Sequence, residues 1–242
     1  MPETIGIFVL GCLAMALAAA VQGAVGFGSG LVAVGLLGAM IGVRGASIAV
    51  VLPSLVMEAV LFWQLRAHFK WDRILPVMIS AVAAVPVGVF LLARLDRRVL
   101  ELILGALMLA TVCYSLLPAL ARRRWHPLYV GIPCGLLSGT ITGTLSTGGP
   151  PLVAYVSAQR FDRFRYAASL QAMFIASQTV RVVELARRGL FDSQSLLYAA
   201  AGAVVMPLGV LVGLGVLRRI SDRLLRGLVI AILLALALRY LL

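Results

Sequence analysis

Apolar stretches long enough to cross a lipid bilayer follow one another along this chain, with short arginine-rich gaps between them. A membrane-spanning helix needs about 20 apolar residues. Of the 242 residues, 62% are hydrophobic and only 12% are charged, and the mean hydropathy is +1.06. In soluble domains about 25% of residues are charged. The sequence therefore predicts an all-α integral protein of the cell membrane, surrounded by the lipid bilayer.

Ten helical segments are predicted when the chain is cut at its charged or glycine-rich gaps. Two of them, 31–42 and 151–158, are too short to span a bilayer alone, and each follows a glycine-rich stretch. The first segment lacks the positively charged start of a signal peptide, so we expect it to be a membrane helix. The segments are 4–22, 31–42, 46–65, 74–94, 98–120, 127–143, 151–158, 165–186, 194–217 and 223–241.

The two glycine-rich stretches align when the chain is shifted by 120 residues, which places 21-VQGAVGFGSG-30 over 141-ITGTLSTGGP-150. A shift of 121 places 86-PVGV-89 over 207-PLGV-210. Matches in the same order at a nearly constant offset indicate an internal duplication. We expect two repeats of about five helical segments each, with a glycine-broken, re-entrant helix in each half. The repeats are residues 1–121 and 122–242, which together form one domain.

An odd number of segments in each repeat turns the second repeat upside down, as in the inverted repeats of many secondary transporters. We name side X the side of the bilayer that holds the N-terminus, and side Y the opposite side. Thirteen Lys and Arg residues are assigned to side Y and seven to side X. The positive-inside rule then predicts that side Y is cytoplasmic and that both termini lie outside the cytoplasm. The charges on side Y are Arg66, Lys70, Arg73, Arg122, Arg123, Arg124, Arg160, Arg163, Arg165, Arg218, Arg219, Arg223 and Arg226, and those on side X are Arg44, Arg94, Arg97, Arg98, Arg187, Arg188 and Arg239.

Five glycines lie between residues 23 and 35, although each costs roughly 1 kcal/mol relative to alanine inside a helix. Irregular backbone at membrane depth is tolerated only where it is buried or lines a cavity. A half-helix that starts there presents free N–H groups and the positive end of its dipole, which attract anions. We therefore predict that the two breaks meet near the membrane midplane and bind a small anion. The predicted substrate-binding residues of the breaks are Gln22, Gly26, Phe27, Gly28, Ser29, Gly30, Ser146, Thr147, Gly148 and Gly149.

Close helix packing is the alternative explanation of these glycines, because small residues spaced by four allow two helix backbones to approach. The stretch 139-GTITG-143 has that spacing. Two glycine clusters at repeat-related positions, each before a segment too short to span, favour the anion-binding interpretation over packing alone.

Polar residues inside two predicted helices indicate the same region. Gln171, Gln178 and Arg181 lie near one face of segment 165–186, and Glu58 corresponds to Gln178 at the offset of 120. Ionisable residues at membrane depth are functional candidates. We predict that Gln171, Gln178 and Arg181 bind substrate, Arg181 through its fork of donors, and that Glu58 carries a coupling proton, because burial favours the protonated carboxyl. The alternatives are a structural ion pair between Glu58 and Arg181, or an Arg181 side chain that extends to the interface.

Several classes of function are disfavoured by what the chain contains. The net charge of +12 arises from arginines at the ends of apolar segments, where they set orientation, so we expect no nucleic-acid partner. Cys12, Cys113 and Cys134 lie in separate apolar runs without metal-ligand spacing, and we expect neither a metal nor a cofactor. The sequence has no Walker motif and no nucleophile with a histidine base, so we do not expect an enzyme.

The stretches 22-QGAVGFGSGLVAV-34 and 139-GTITGTLSTGGPPL-152 resemble the paired signatures of the TauE/SafE family of sulfite-exporter-like membrane permeases. The resemblance extends over essentially the whole chain in size, duplication and motif placement. It implies a secondary transporter of a small anion, such as sulfite, thiosulfate or a small organosulfonate, that works by alternating access. A passive anion channel and a transporter of small carboxylates with the same architecture are the alternatives, and a homodimer is left open.

Overall fold

The computed structural model describes residues 2–116, 126–217 and 222–242, and these residues form helices and no strand. In the described residues each of the ten predicted segments corresponds to a helix, with ends that differ from the prediction by a few residues, and residues 117–120 of segment 98–120 lie outside the described part. Short 3-10 turns at Arg66–His68 and Asp72–Ile74 precede α4, and a π-helical turn at Pro127–Gly131 precedes α6. The helices are α1 (Pro2–Val25), α2 (Ser29–Ile41), α3 (Val43–Leu65), α4 (Leu75–Arg94), α5 (Arg97–Leu116), α6 (Ile132–Leu145), α7 (Gly149–Ala158), α8 (Arg163–Arg187), α9 (Ser193–Leu217) and α10 (Asp222–Leu241).

Six helices among the described residues are long and apolar enough to cross a membrane. Helices α2 and α7 are shorter, with 13 and 10 residues, as the sequence predicts for half-helices. Helix α8 has 25 residues but is not among those six spans, because polar residues occupy its buried face. The chain is therefore a multi-pass membrane protein. The candidate spans are Gly6–Gly23, Val43–His68, Asp72–Arg94, Arg97–Leu116, Leu128–Leu145 and Ser193–Leu211.

Helix α3 lies at the centre of the fold, where it packs against α2, α8 and α9. Helix α1 packs along α9, and α4 packs along α6 and α8. Helix α5 pairs with α10. The larger core cluster includes Met15 and Met57, which have no exposed surface. Helix α2 packs against α1 and α3, and α7 packs against α6 and α8, so longer helices flank each half-helix.

The contact between α4 and α6 depends on glycines, as the packing alternative predicts. A Cβ atom at Gly139 would collide with the backbone of Ala81, and one at Gly143 would collide with the backbone of Val85. Glycines at these positions let the two helix backbones meet directly. In α6 the glycines therefore serve packing, whereas those at residues 26–28 and 148–149 form the breaks described below.

Among the described residues, loops assigned to the same side in the sequence analysis contact each other. At one end, Arg44 Nη2 donates to the Leu95 carbonyl at 2.7 Å, and Arg239 Nη2 donates to the Ala39 carbonyl at 3.4 Å. These loops were assigned to side X. Residues assigned to side Y meet at the other end, where the ring of His68 stacks on Phe164 with centroids 4.9 Å apart. Arg122, Arg123, Arg124, Arg218 and Arg219 lie outside the described residues.

Candidate functional site

The first break separates α1 from α2. Helix α1 continues through Gln22 and ends at Val25, so the break is confined to three residues. Gly26 and Gly28 adopt φ angles of 87° and 101°, which a residue with a Cβ atom rarely adopts. Glycine is therefore required here by the backbone, and the chain turns sharply before Ser29 starts α2.

The second break separates α6 from α7. Ser146 has a φ of 60° in the left-handed region and ends α6. The Ser138 hydroxyl donates to the carbonyl of Gly148, which holds the break against α6. Helix α7 starts at Gly149 and continues with Pro150. Proline is suited to the first helical turn because its missing N–H has no intrahelical acceptor there.

The two breaks touch each other. A Cβ atom at Gly30 would collide with the Ser146 carbonyl oxygen and would lie 3.4 Å from the Thr147 Cα. Gln178 on α8 fixes the second break, because its Nε2 donates to the Ser146 Oγ at 2.8 Å. The first turn of α2 therefore contacts the backbone of the second break, while the predicted meeting at the membrane midplane stays a prediction.

A polar cavity of about 30 Å³ lies where the breaks meet. Since one water needs roughly 10–15 Å³ of such space, the cavity has room for about two waters. An anion the size of sulfite would fit only after a local rearrangement. The cavity is lined by Gln22, Phe27, Gly28, Ser29, Gly30, Leu31, Ser54, Glu58, Thr142, Ser146, Thr147, Gly148, Gly149, Pro150, Phe174 and Gln178.

Most of the residues predicted for the site line this cavity, Glu58 included, but Gly26, Gln171 and Arg181 do not. Gly26 and Gln171 lie next to it, since Gln171 Nε2 donates to the Gly26 carbonyl at 3.4 Å. The sequence analysis did not select Leu31, Ser54, Thr142, Pro150 and Phe174. Ser54 was recognisable because it lies four residues before Glu58, on the same helix face. Phe174 was recognisable as the partner of Ser54 at the offset of 120.

Gln22 bonds to the start of α2. Its Oε1 accepts from the Ser29 N–H at 3.2 Å and also from the Ser29 hydroxyl. Its Nε2 donates to Gln171 Oε1 at 3.4 Å, which links α1 to α8. A neutral amide oxygen therefore caps α2 at the point where a bound anion would accept hydrogen bonds.

Arg181 is completely buried, yet it bonds to protein groups outside the cavity lining. Its Nε donates to the Gly143 carbonyl and its Nη1 to the Ser47 carbonyl, both at 3.0 Å. Its Nη2 donates to the Ser47 hydroxyl at 2.5 Å. All three nitrogens of the guanidinium are thus engaged, and Arg181 joins α8 to α3 and α6. Because the side chain is buried, it does not extend to the membrane interface.

Glu58 is 4% exposed and lines the cavity. Its Oε2 has no hydrogen-bond partner among the described residues. The four ion pairs in the described part of the chain involve neither Glu58 nor Arg181, so the pair considered in the sequence analysis is not formed. An isolated buried carboxylate is unfavourable. Glu58 therefore requires a proton or a bound cation to offset its charge.

A multi-pass helical protein whose two broken helices enclose a polar cavity is built like the membrane transport proteins. The chain belongs to the sulfite exporter TauE/SafE family, whose sequence model matches residues 11–240. The resemblance noted in the sequence is thereby confirmed, and membership in a transporter family is consistent with a protein that is not an enzyme. No curated protein and no solved structure matches the chain.

Proposed function

We propose that this protein is a secondary transporter of a small anion, a sulfur oxoanion or an organosulfonate, that works by alternating access. The central cavity is its substrate site. The two repeats, inverted relative to each other, alternately open that site to side X and to side Y.

The observation that carries this proposal is the composition of the cavity lining. Fourteen of the sixteen lining residues form seven pairs that are 120 residues apart. A substrate site at the interface of two repeats is expected to have this property, because both repeats contribute equivalent positions. The pairs are Gln22 with Thr142, Phe27 with Thr147, Gly28 with Gly148, Ser29 with Gly149, Gly30 with Pro150, Ser54 with Phe174 and Glu58 with Gln178.

Helix packing also supports the repeat relation. When α1–α5 are exchanged with α6–α10, the contact of α1 with α9 becomes that of α6 with α4, and both contacts are present. Glycines at equivalent positions mediate them. A Cβ atom at Gly23 would lie 2.9 Å from the Val210 carbonyl oxygen, as one at Gly143 would meet the Val85 carbonyl.

The donors for an anion come unequally from the two half-helices. Gly30 and Leu31 are the second and third residues of α2, line the cavity, and have N–H groups without intrahelical acceptors. In α7 the corresponding positions are Pro150 and Pro151, which have no N–H. We therefore assign the stronger anion contact to α2, with Thr147 as a hydroxyl donor from the second break.

Glu58 is the coupling group in this proposal. Among the described residues it is the only charged one that lines the cavity, and an ionised carboxylate would repel the substrate. When Glu58 takes up a proton, it becomes neutral and gains an O–H donor. The anion and the proton then enter together, which links anion movement to the proton gradient.

Transport in proteoliposomes tests the proposal. The purified protein is reconstituted, a pH gradient is applied, and uptake is followed for sulfite, thiosulfate, sulfate, sulfoacetate, taurine, acetate and malate. We expect saturable uptake of a sulfur anion that depends on the gradient, and selective thermal stabilisation by the same compound. Unitary currents in planar bilayers would instead establish a passive anion channel. Uptake of acetate or malate, with no uptake of a sulfur anion, would show that the substrates are small carboxylates. The proposed transport mechanism would still hold.

A further inference from the structure

We infer that the central cavity also binds a small monovalent cation, Na⁺, through oxygen atoms of Ser54, Glu58, Thr147 and Gln178. This inference rests on the proposed transport function and names a second coupling ion for the same site. Na⁺ and the proton compete for the Glu58 carboxylate, so the protein can couple anion movement to either ion.

Four residues that line this cavity each have a buried side-chain oxygen without a hydrogen-bond partner in the described structure. These oxygens are Ser54 Oγ, Glu58 Oε2, Thr147 Oγ1 and Gln178 Oε1, and each belongs to a cavity-lining residue that is at most 4% exposed. Buried polar atoms in folded proteins nearly always have a partner. Four unsatisfied oxygens on residues that line one small cavity therefore favour a ligand that interacts with oxygen atoms, and a cation does so.

A hydrogen bond orients one of these oxygens, and the helix geometry of α3 places two others on the same face. Gln178 uses its Nε2 to bond Ser146, which leaves its carbonyl oxygen as the free end of the amide. In a helix, Ser54 would ordinarily bond a carbonyl of the preceding turn, but its Oγ has no partner in the described structure. Ser54 and Glu58 are four residues apart on α3, so their side chains lie on one face of that helix.

The proposed repeat symmetry places the two hydroxyls on the same side of the cavity. A Cβ atom at Gly149 would lie 3.7 Å from Phe174 and 3.9 Å from Phe27, so both rings lie next to Gly149. Under the offset of 120 their counterparts are Ser54 and Thr147, and the counterpart of Gly149 is Ser29. The cavity thus has an aromatic side and a hydroxyl side, and the cation belongs on the hydroxyl side.

The charge of the lining matches a monovalent ion. Glu58 supplies one negative charge, and no Lys, Arg or His residue lines the cavity. The three other oxygens are neutral. A divalent cation usually draws on more than one carboxylate, and the described residues contain no cluster of three or more His, Cys, Asp or Glu side chains that could hold a metal.

The helices packed against α3 supply no other group that would neutralise Glu58. Helix α2 has no titratable residue, and neither Cys134 of α6, Tyr198 of α9 nor any titratable residue of α5 lines the cavity. On α8, Arg181 is bonded to Ser47. Ser47 lies eleven residues before Glu58 on α3, so these two positions are about 16 Å apart along the helix axis. The remaining charged groups of α8 are Arg163, Arg165, Glu184 and Arg187, which lie toward its two ends and outside the lining.

The exchange step is balanced in atoms and charge. A protonated Glu58 carboxyl releases its proton to water as Na⁺ binds, and the carboxylate then forms an ion pair with Na⁺. In both states the negative charge of the Glu58 carboxylate is neutralised, by the proton or by Na⁺. A substrate anion can therefore enter next to it. Na⁺ occupancy is therefore favoured at alkaline pH and proton occupancy at acidic pH, as linkage at a shared site requires.

Binding of radioactive Na⁺ to the purified protein, measured without any substrate anion, tests the inference. We expect saturable binding in alkaline buffer that is lost in acidic buffer and is not displaced by choline. Ser54→Ala and Thr147→Val should each weaken Na⁺ binding by about tenfold, the effect of losing one good ligand. Glu58→Gln should abolish it. Ser177→Ala is the matched control, because the Ser177 hydroxyl is also buried without a partner but does not line the cavity.

Two results would overturn the inference: no saturable Na⁺ binding by folded wild-type protein, or equal effects of Ser54→Ala and Ser177→Ala. Uptake of the anion driven by a pH gradient is measured separately on the same preparations. If that uptake persists without Na⁺ binding, the proposed function stands and the Na⁺ site is rejected. If Na⁺ binds and no anion is transported, the site stands and the transport proposal fails.

Discussion

Gln22 occupies the place at which an anion would meet the start of α2. Its amide oxygen accepts from the Ser29 N–H and hydroxyl, so a substrate must displace it or bind beside it. Gln22→Glu would fix a negative charge at this point. Two like charges about 4 Å apart repel by about 4 kcal/mol in a partly polar site. We expect anion affinity, measured by calorimetry, to fall at least about tenfold.

Two further variants separate charge from shape at Gln22. Gln22→Ala removes the amide oxygen and leaves the Ser29 N–H free, so anion affinity should be kept or increased. Gln64→Glu makes the same chemical change at an exposed position of α3 and should leave affinity unchanged. Normal anion binding by Gln22→Glu would place the substrate elsewhere than at the start of α2.

Arg181 is a residue whose structural contacts give a prediction of their own. Arg181→Met keeps much of the side-chain volume but removes the charged donor to the carbonyls of Ser47 and Gly143. Each lost hydrogen bond to a charged group costs about 1.5–3 kcal/mol. We expect the melting temperature to fall by roughly 5–10 °C. Arg187→Met on the same helix, where the side chain is 74% exposed, is the control and should change it little.

The same measurement decides between two roles for Arg181. Our sequence analysis predicts that Arg181 binds the substrate, whereas its contacts favour a positioning role between α3, α6 and α8. A folded Arg181→Met protein with an unchanged melting temperature and no anion binding would establish the substrate role. A lower melting temperature with normal affinity in the folded protein would establish the structural one.

At the scale of helices, the α4–α6 contact depends on glycines of α6, which have no side chain to separate the two backbones. A Cβ atom at Gly139 would collide with backbone atoms of Ala81, which cannot move aside as a flexible side chain can. Gly139→Ala should therefore destabilise the protein by about 1–3 kcal/mol, the usual cost of overpacking. Thermal unfolding in detergent measures this loss.

Gly227 is the matched control for Gly139. It lies within α10, and a Cβ atom there would meet nothing within 4 Å. Alanine is favoured over glycine inside a helix by about 0.5–1 kcal/mol, so Gly227→Ala should be neutral or slightly stabilising. Equal stability of the two variants would contradict the close contact of α4 with α6.

The helices themselves were predictable from the sequence, and most partners of the buried polar residues were not. Apolar length and glycine breaks are local signals, which is why all ten segments were located. Arg181 bonds to Gly143 and Ser47, which are 38 and 134 residues away in sequence. A single sequence does not show which helices pack together, so these carbonyl partners of Arg181 were not predictable, and its role as a substrate ligand stays a prediction. Glu58 and Gln178 correspond to each other at the offset of 120, and both line the cavity.

At the scale of the whole molecule, the distribution of positive charge predicts its orientation. Loops assigned to the same side meet in the fold, as Arg44 does with Leu95 on side X and His68 with Phe164 on side Y. Thirteen positive charges against seven then predict a cytoplasmic side Y. Single cysteines test this, once Cys12, Cys113 and Cys134 have been replaced by alanine.

A membrane-impermeant maleimide applied to intact cells should label Arg97→Cys and Arg187→Cys, whose native side chains are 80% and 74% exposed. Arg66→Cys and Arg163→Cys, also at exposed positions, should react only after the cells are permeabilised. The reverse pattern would place side X in the cytoplasm, but the loops assigned to one side would still lie on the same side of the membrane. Labelling of one member of each pair alone would contradict the two-sided arrangement, and with it the inverted repeats that we propose.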